Sequence, residues 1–156
     1  MGGNFGAGTR FEMDNGIVLS ILYYVLCMES KEKKKTIKSF SDLYAWQEGH
    51  KLVLKIYKIV KKFPKEETFA LAAQMRRAAI STTSNIAEGF SRKTTKDKIQ
   101  FYCIAQGSLT ELQNQLVIAR DVKYISKVEF NKIAKQTIMV HKLISGLKKV
   151  KIILNT

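Results

Sequence analysis

Residues 66–89 read EETFALAAQMRRAAISTTSNIAEG. Leu71, Met75, Ala78, Thr82 and Ile86 recur at steps of three and four, which marks one buried stripe of a helix. Ala70, Ala72, Ala73, Ala78, Ala79, Ser81, Ser84 and Ala87 keep the segment narrow, so a neighbouring helix can approach closely. A polar stripe of Gln74, Arg77, Ser81, Asn85 and Glu88 runs alongside. The expectation is a helix from about Glu66 to Glu88, stopped by Gly89.

The same period extends on both sides. Ser41 is placed to cap a helix that stops at Phe63–Pro64, with Leu43, Trp46, His50, Val53, Leu54, Tyr57 and Val60 as its apolar stripe. Lys51, Lys55, Lys58 and Lys62 recur on the far side. After the loop GFSRKTT at 89–95, a third segment runs to about Lys123 on Phe101, Ala105, Ser108, Leu112, Leu116 and Ala119. Ser126-x-x-Glu129 is a capping-box pattern and opens a fourth segment, reaching about Leu154. Its stripe is Phe130, Ile133, Thr137, Val140, Ile144 and Leu147, with Lys135, Lys142 and Lys149 on its outer face. Four helices joined by short loops pack as an antiparallel up-down-up-down bundle, so the fold class is all-α.

The chain has 156 residues, enough for one domain with a proper core. One Pro and 9 Gly argue against an all-β fold with many turns. Cys27 and Cys103 exclude a disulfide framework and favour a reducing cytoplasm. Residues 1–38 read as an N-terminal extension, disordered or translated from an upstream start, and 39–154 as the bundle. The apolar run GIVLSILYYVLC at 16–27 is short of the roughly 20 residues that span a bilayer. Glu12 and Asp14 precede it where a signal peptide carries positive charge, so no membrane partner is expected.

Lys and Arg number 27 against 13 Asp and Glu, a net charge of +14, which biases the protein toward polyanions. Neither HExxH, CxxC, GxSxG, a P-loop nor GxGxxG occurs. His50 and His141 read as core-edge histidines, and Cys103 as a small packing residue. No Glu-x-x-His pair repeats on two helices, so neither a metal nor a cofactor is expected, and no nucleophile–base pair points to an enzyme. The polar stripe borders the core and needs partners. Arg76 or Arg77 pairing with Glu88 or Glu111 across helices is the expected arrangement, with Ser81 and Asn85 in the same structural or subunit-interface network. Lys51, Lys55, Lys58, Lys62, Arg92, Lys93, Lys96 and Lys98 are the expected phosphate contacts. A solvated face serving solubility alone is the bland alternative.

Three blocks go further. Gln74-Met75-Arg76-Arg77-Ala78-Ala79-x-Ser81, Asn85-Ile86-Ala87-Glu88-Gly89-x-x-Arg92 and Gly107-Ser108-Leu109-x-Glu111-Leu112 follow Phe40-x-x-Leu43-x-x-Trp46 and Phe63-Pro64-x-Glu66. Over about 39–150 the chain resembles the four-helix-bundle proteins encoded in intervening sequences of 23S ribosomal RNA genes. It departs from that pattern at Met75 and in its first 27 residues. The resemblance implies a basic bacterial bundle without enzymatic activity, commonly a homopentamer. It also implies similarity to the accessory protein of diversity-generating retroelements, which binds a reverse transcriptase and nucleic acid. The expected function is therefore a cytoplasmic homo-oligomer that binds RNA or DNA through its lysine faces. The alternative is an assembly module for a protein such as a reverse transcriptase or other polymerase.

Overall fold

The computed structural model of the chain describes residues 37–153, with side chains to 149. The expectations placed on residues 1–36 and on Leu154 lie outside the described residues. Four α-helices carry the fold: α1 (Tyr44–Val60), α2 (Leu71–Ser91), α3 (Thr95–Asp121) and α4 (Lys127–Ile153). Two short 3₁₀ turns, Phe40–Asp42 and Lys65–Thr68, precede α1 and α2. No strand occurs among the described residues. α2 packs on α1 and α3, and α4 closes the ring by packing on α3 and α1. This is a four-helix bundle.

Local chemistry explains most of the helix ends. Ser39, not Ser41, is the cap at the N-terminal entry. Its backbone N–H donates to Asp42 Oδ2 at 2.9 Å, and its hydroxyl accepts from Ser41 N–H at 3.4 Å. The turn this closes delays α1 to Tyr44. Pro64 opens the second 3₁₀ turn, so α2 starts at Leu71 rather than Glu66. Glu67 supplies the acceptor that α2's own cap lacks: Leu71 N–H donates to Glu67 Oε2 at 3.0 Å. The α3 cap is Thr94, accepting from Asp97 N–H at 3.1 Å. The capping box of α4 forms as its spacing predicts. Ser126 N–H donates to Glu129 Oε2 at 3.0 Å and Glu129 N–H to Ser126 Oγ at 3.2 Å.

Gly89 corrects the expectation of a stop. It lies inside α2, without a positive φ, and α2 continues to Ser91. Its role is close approach. A Cβ there would lie 2.6 Å from Cε1 of the buried Tyr102 ring. Gly49 does the same more gently on α1, where a Cβ would lie 3.0 Å from Thr83 Cγ2.

The core is built from Leu52, Ile56, Met75, Ile86, Leu109, Leu112, Val140 and Ile144 with small residues between them. The stripes expected for α2 and α4 are the ones buried: Met75, Ala78, Thr82 and Ile86, and Ile133, Thr137, Val140 and Ile144. In α1 the phase differs. Leu54 is 56% and Tyr57 41% exposed, and His50 is exposed, while Leu52, Ile56 and Ile59 are buried. Two adjacent stripes of α1 satisfy the same spacing, and the one containing Gly49 is turned inward. In α3 the expected Ala105, Leu112, Leu116 and Ala119 are buried. Tyr102 and Leu109 are buried, and Phe101 and Ser108 are half-buried at the edge.

Candidate nucleic-acid interface

Charge is divided unevenly among the helices. α1 and α4 together carry ten Lys and two Glu. α2 and α3 carry three Arg and two Lys against four acids. The positive field therefore belongs to the α1/α4 side. Lys51 and Lys55 of α1 and Lys62 in the turn that follows it lie at the seam with α4. Lys51 Nζ donates to Glu48 Oε1 at 2.6 Å, Lys55 Nζ to Gln136 Oε1 at 2.6 Å, and Lys62 Nζ to Glu129 Oε1 at 2.7 Å. Gln136 Nε2 in turn donates to Glu48 Oε2 at 2.8 Å. Lys55 and Lys62 reach α4 directly, and Lys51 pairs with Glu48 of its own helix; the side chains of Lys51 and Lys62 stay largely in water, 61% and 60% exposed.

Burial pushes the Glu48 carboxyl up, but the Lys51 ammonium, the Gln136 amide and the charge of Lys55 bring it below its ordinary value. Glu129 is held lower, at about 2, by Lys62 first and then by the Ser126 backbone and hydroxyl. Both glutamates of this side are thus anions committed to internal partners, and neither offsets the field beyond its own pair. Lys58 and Lys132 are exposed between them and make no ion pair among the described residues. Lys127 and Lys132 were not singled out by sequence reasoning. Charge summed helix by helix is the signal that finds them.

The loop expected to be basic is partly occupied. Lys98 Nζ donates to Phe90 O at 2.7 Å and Gly89 O at 3.4 Å, which closes the carbonyl end of α2. Arg92 pairs with Glu88 and lies over the Phe101 ring, 4.5 Å from its centroid. Lys93 in the loop and Lys96 in the first turn of α3 are exposed.

The polar stripe of α2 does not pair across helices by charge. Arg76 donates to Thr68 O at 2.9 Å, and Arg77 to Gln74 of its own helix. Glu88 takes Arg92, and Glu111 accepts from Gln115 Nε2 at 2.9 Å. Midway along the α2/α3 seam a hydroxyl pair crosses, Ser81 Oγ and Ser108 Oγ at 2.8 Å, and Asn85 Nδ2 donates to Ser81 O of its own helix at 2.8 Å. The reason is spacing. Residues small enough to let α2 and α3 touch leave no room for a buried Arg–Glu pair.

The remaining candidates also moved. His50 stacks on Trp46 at the surface, with ring centroids 5.0 Å apart. Cys103 is exposed, not packed, because the buried stripe of α3 passes through Tyr102. His141 is exposed. Among the described residues no helix is long and apolar enough to cross a membrane.

Comparison with known proteins fits this frame. No curated protein matches the chain. A crystal structure of a protein of unknown function from the S23 ribosomal protein family of Bacteroides thetaiotaomicron superposes with a TM-score of 0.63 at 21% identity, covering 67% of this chain and 98% of that one. At that identity the likeness shows the fold. The sequence family described as 23S rRNA-intervening sequence protein matches residues 41–146, from the entry turn into the last turns of α4. With α1 to α3, most of α4 and the blocks at 74–92 and 107–112 inside that match, the chain belongs to the 23S rRNA-intervening sequence protein family.

Proposed function

We propose that the protein binds RNA or DNA through the α1/α4 lysine face, without base-specific readout. The observation that carries this is the division of charge: ten Lys against two Glu on α1 and α4, with both Glu consumed by internal pairs. Lys51, Lys55, Lys58, Lys62 and Lys132 form the contact surface, and Lys93 and Lys96 extend it at the α2–α3 loop. Lysine ammoniums are point charges that suit phosphate and carry no sequence code. Arg92 and Lys98 serve the fold first.

The test is anisotropy titration of structured RNA, duplex DNA and single strands at several salt concentrations. The reading predicts a linear fall of log affinity with log salt, steeper by about 0.9 for each phosphate engaged on duplex DNA. Affinity that stays flat with salt contradicts it.

A second reading, self-assembly or docking of another protein, is favoured by the α2/α3 side. Ile80, Ile104 and Ile118 are each more than 40% exposed there, and a Cβ on Gly107 would meet nothing within 4 Å. This face is near neutral and apolar, so a protein surface suits it better than phosphate does. Sedimentation velocity of the Ile104→Asp variant checks it: an assembly through this face shifts toward monomer, and an unchanged mass places the contact elsewhere.

A further inference from the structure

The seam between α3 and α4 holds a feature that neither reading uses. Val117 and Leu116 of α3 and Phe130, Ala134 and Ile138 of α4 line a largely apolar groove, together with Gln113 and Thr137. Its cavity is about 170 Å³, below the ~300–1,000 Å³ of small-molecule pockets. Val117 is 38% and Ile138 51% exposed, so the groove shows apolar surface to water along two helices. Its two polar residues are bonded to each other and to the backbone. Gln113 Nε2 donates to Thr137 Oγ1 at 3.0 Å, and Thr137 Oγ1 donates to Ala134 O at 2.8 Å. The groove thus favours apolar side chains.

The surroundings of the groove are cationic. Arg120 stands over the Phe130 ring, 4.6 Å from its centroid, at one end. Lys127 lies two helical turns before Ala134, and Lys142 one turn after Ile138, on the same side of α4. Asp121 is the acid beside them, and it is paired with Arg120 at 2.8 Å. Lys127 to Lys142 spans about 22 Å of helix axis, the length of a four-turn helix.

We infer that this groove docks an acidic amphipathic helix of a protein partner. Apolar anchors spaced i, i+3 or i+4, and i+7 seat on Val117, Ala134 and Ile138, and flanking Glu or Asp residues face Arg120, Lys127 and Lys142. The charge complementarity selects this occupant. A second copy offers no acidic helix among the described residues, since none of α1 to α4 has more acids than bases, and a nucleic acid would leave the apolar lining unfilled. The inference does not depend on the lysine face of α1.

The probe is a fluorescein-labelled 16-residue helical peptide with Leu at the anchor spacing and Glu at the exposed positions, titrated against the full chain. Two controls are a scrambled peptide of the same composition and a peptide with Lys in place of Glu. The expected result is saturable binding of the acidic helix alone, weakened at least tenfold by Ile138→Asp and less by Ile138→Gln. Position 138 is half exposed, so both variants are expected to fold, and circular dichroism verifies it. Affinity for RNA stays unchanged in Ile138→Gln, which separates this surface from the lysine face. Absence of peptide binding, equal binding of the scrambled peptide, or indifference to Ile138→Asp overturns the inference. So does a loss of RNA affinity in Ile138→Gln, which would make the groove part of a nucleic-acid site. A change in sedimenting mass with Ile138→Asp would make it a contact between copies, and also overturns it.

Discussion

α1 with α4, and α2 with α3, solve the same packing problem differently. The α2/α3 pair is joined by near contact: Gly89 against the Tyr102 ring, Ala78 and Ala105 in the core, and two serines 2.8 Å apart across the seam. The α1/α4 pair is joined by long polar side chains that cross from one helix to the other, Lys55 to Gln136, Gln136 to Glu48 and Lys62 to Glu129. The first solution leaves an outer face of small and apolar groups. The second leaves cationic heads in water. A single fold thus carries one face suited to protein and one suited to phosphate, and the difference follows from what holds each seam.

The sharpest way to break the contrast is at Gly89. Gly89→Ala drives a methyl into a ring that is 2% exposed, and costs about 1–3 kcal/mol in chemical denaturation. The polar seam responds to a different substitution. Gln136→Leu removes a donor from buried Glu48 and the acceptor of Lys55, and costs about 1–2 kcal/mol while leaving the helix apolar surface intact. Equal tolerance of both changes would erase the distinction between the seams.

Acid acts on the polar seam. The Glu129 carboxyl titrates at about 2 in the folded chain against an ordinary 4.5. A lowered folded value means its stabilisation is present above about pH 4.5 and is lost as pH falls toward 2. Glu48 shifts in the same direction. Thermal melts from pH 6 to 2 show this loss in the parent, and Glu129→Gln shows a shallower pH dependence. The smallest effect is a gain. Gly146 of α4 has open space where a Cβ would go, so Gly146→Ala raises stability by about 0.5–1 kcal/mol through helix propensity.

The two seams also differ in how much of them sequence reveals. The buried stripes of α2 and α4 and the Ser126/Glu129 capping box were legible, because each depends on residues within a few positions of one another. The phase of α1 was not. Leu54 and Tyr57 obey the helical period as well as Leu52 and Ile56 do, and the choice between them is made by what packs opposite Gly49. The lysine stripe was visible as a stripe, but its partners were not. Gln136 lies 81 residues from Lys55, and Glu129 lies 67 from Lys62. Gly89 showed the limit most plainly, since a glycine at a close approach and a glycine at a helix end look alike until the facing ring is known.

The central claim is that the position of charge, not its sum, makes the nucleic-acid surface. Two variants that lose the same three charges test it. One carries Lys58→Gln, Lys132→Gln and Lys135→Gln on α1 and α4; the other carries Arg76→Gln, Arg77→Gln and Lys123→Gln on the α2/α3 side. Salt-dependent affinity for duplex DNA is measured for both. The account predicts that the first lowers the slope of log affinity against log salt by about 2 to 3, and that the second leaves it near the parent value. Equal loss in the two variants would contradict it, and would reduce the basic faces to net charge alone.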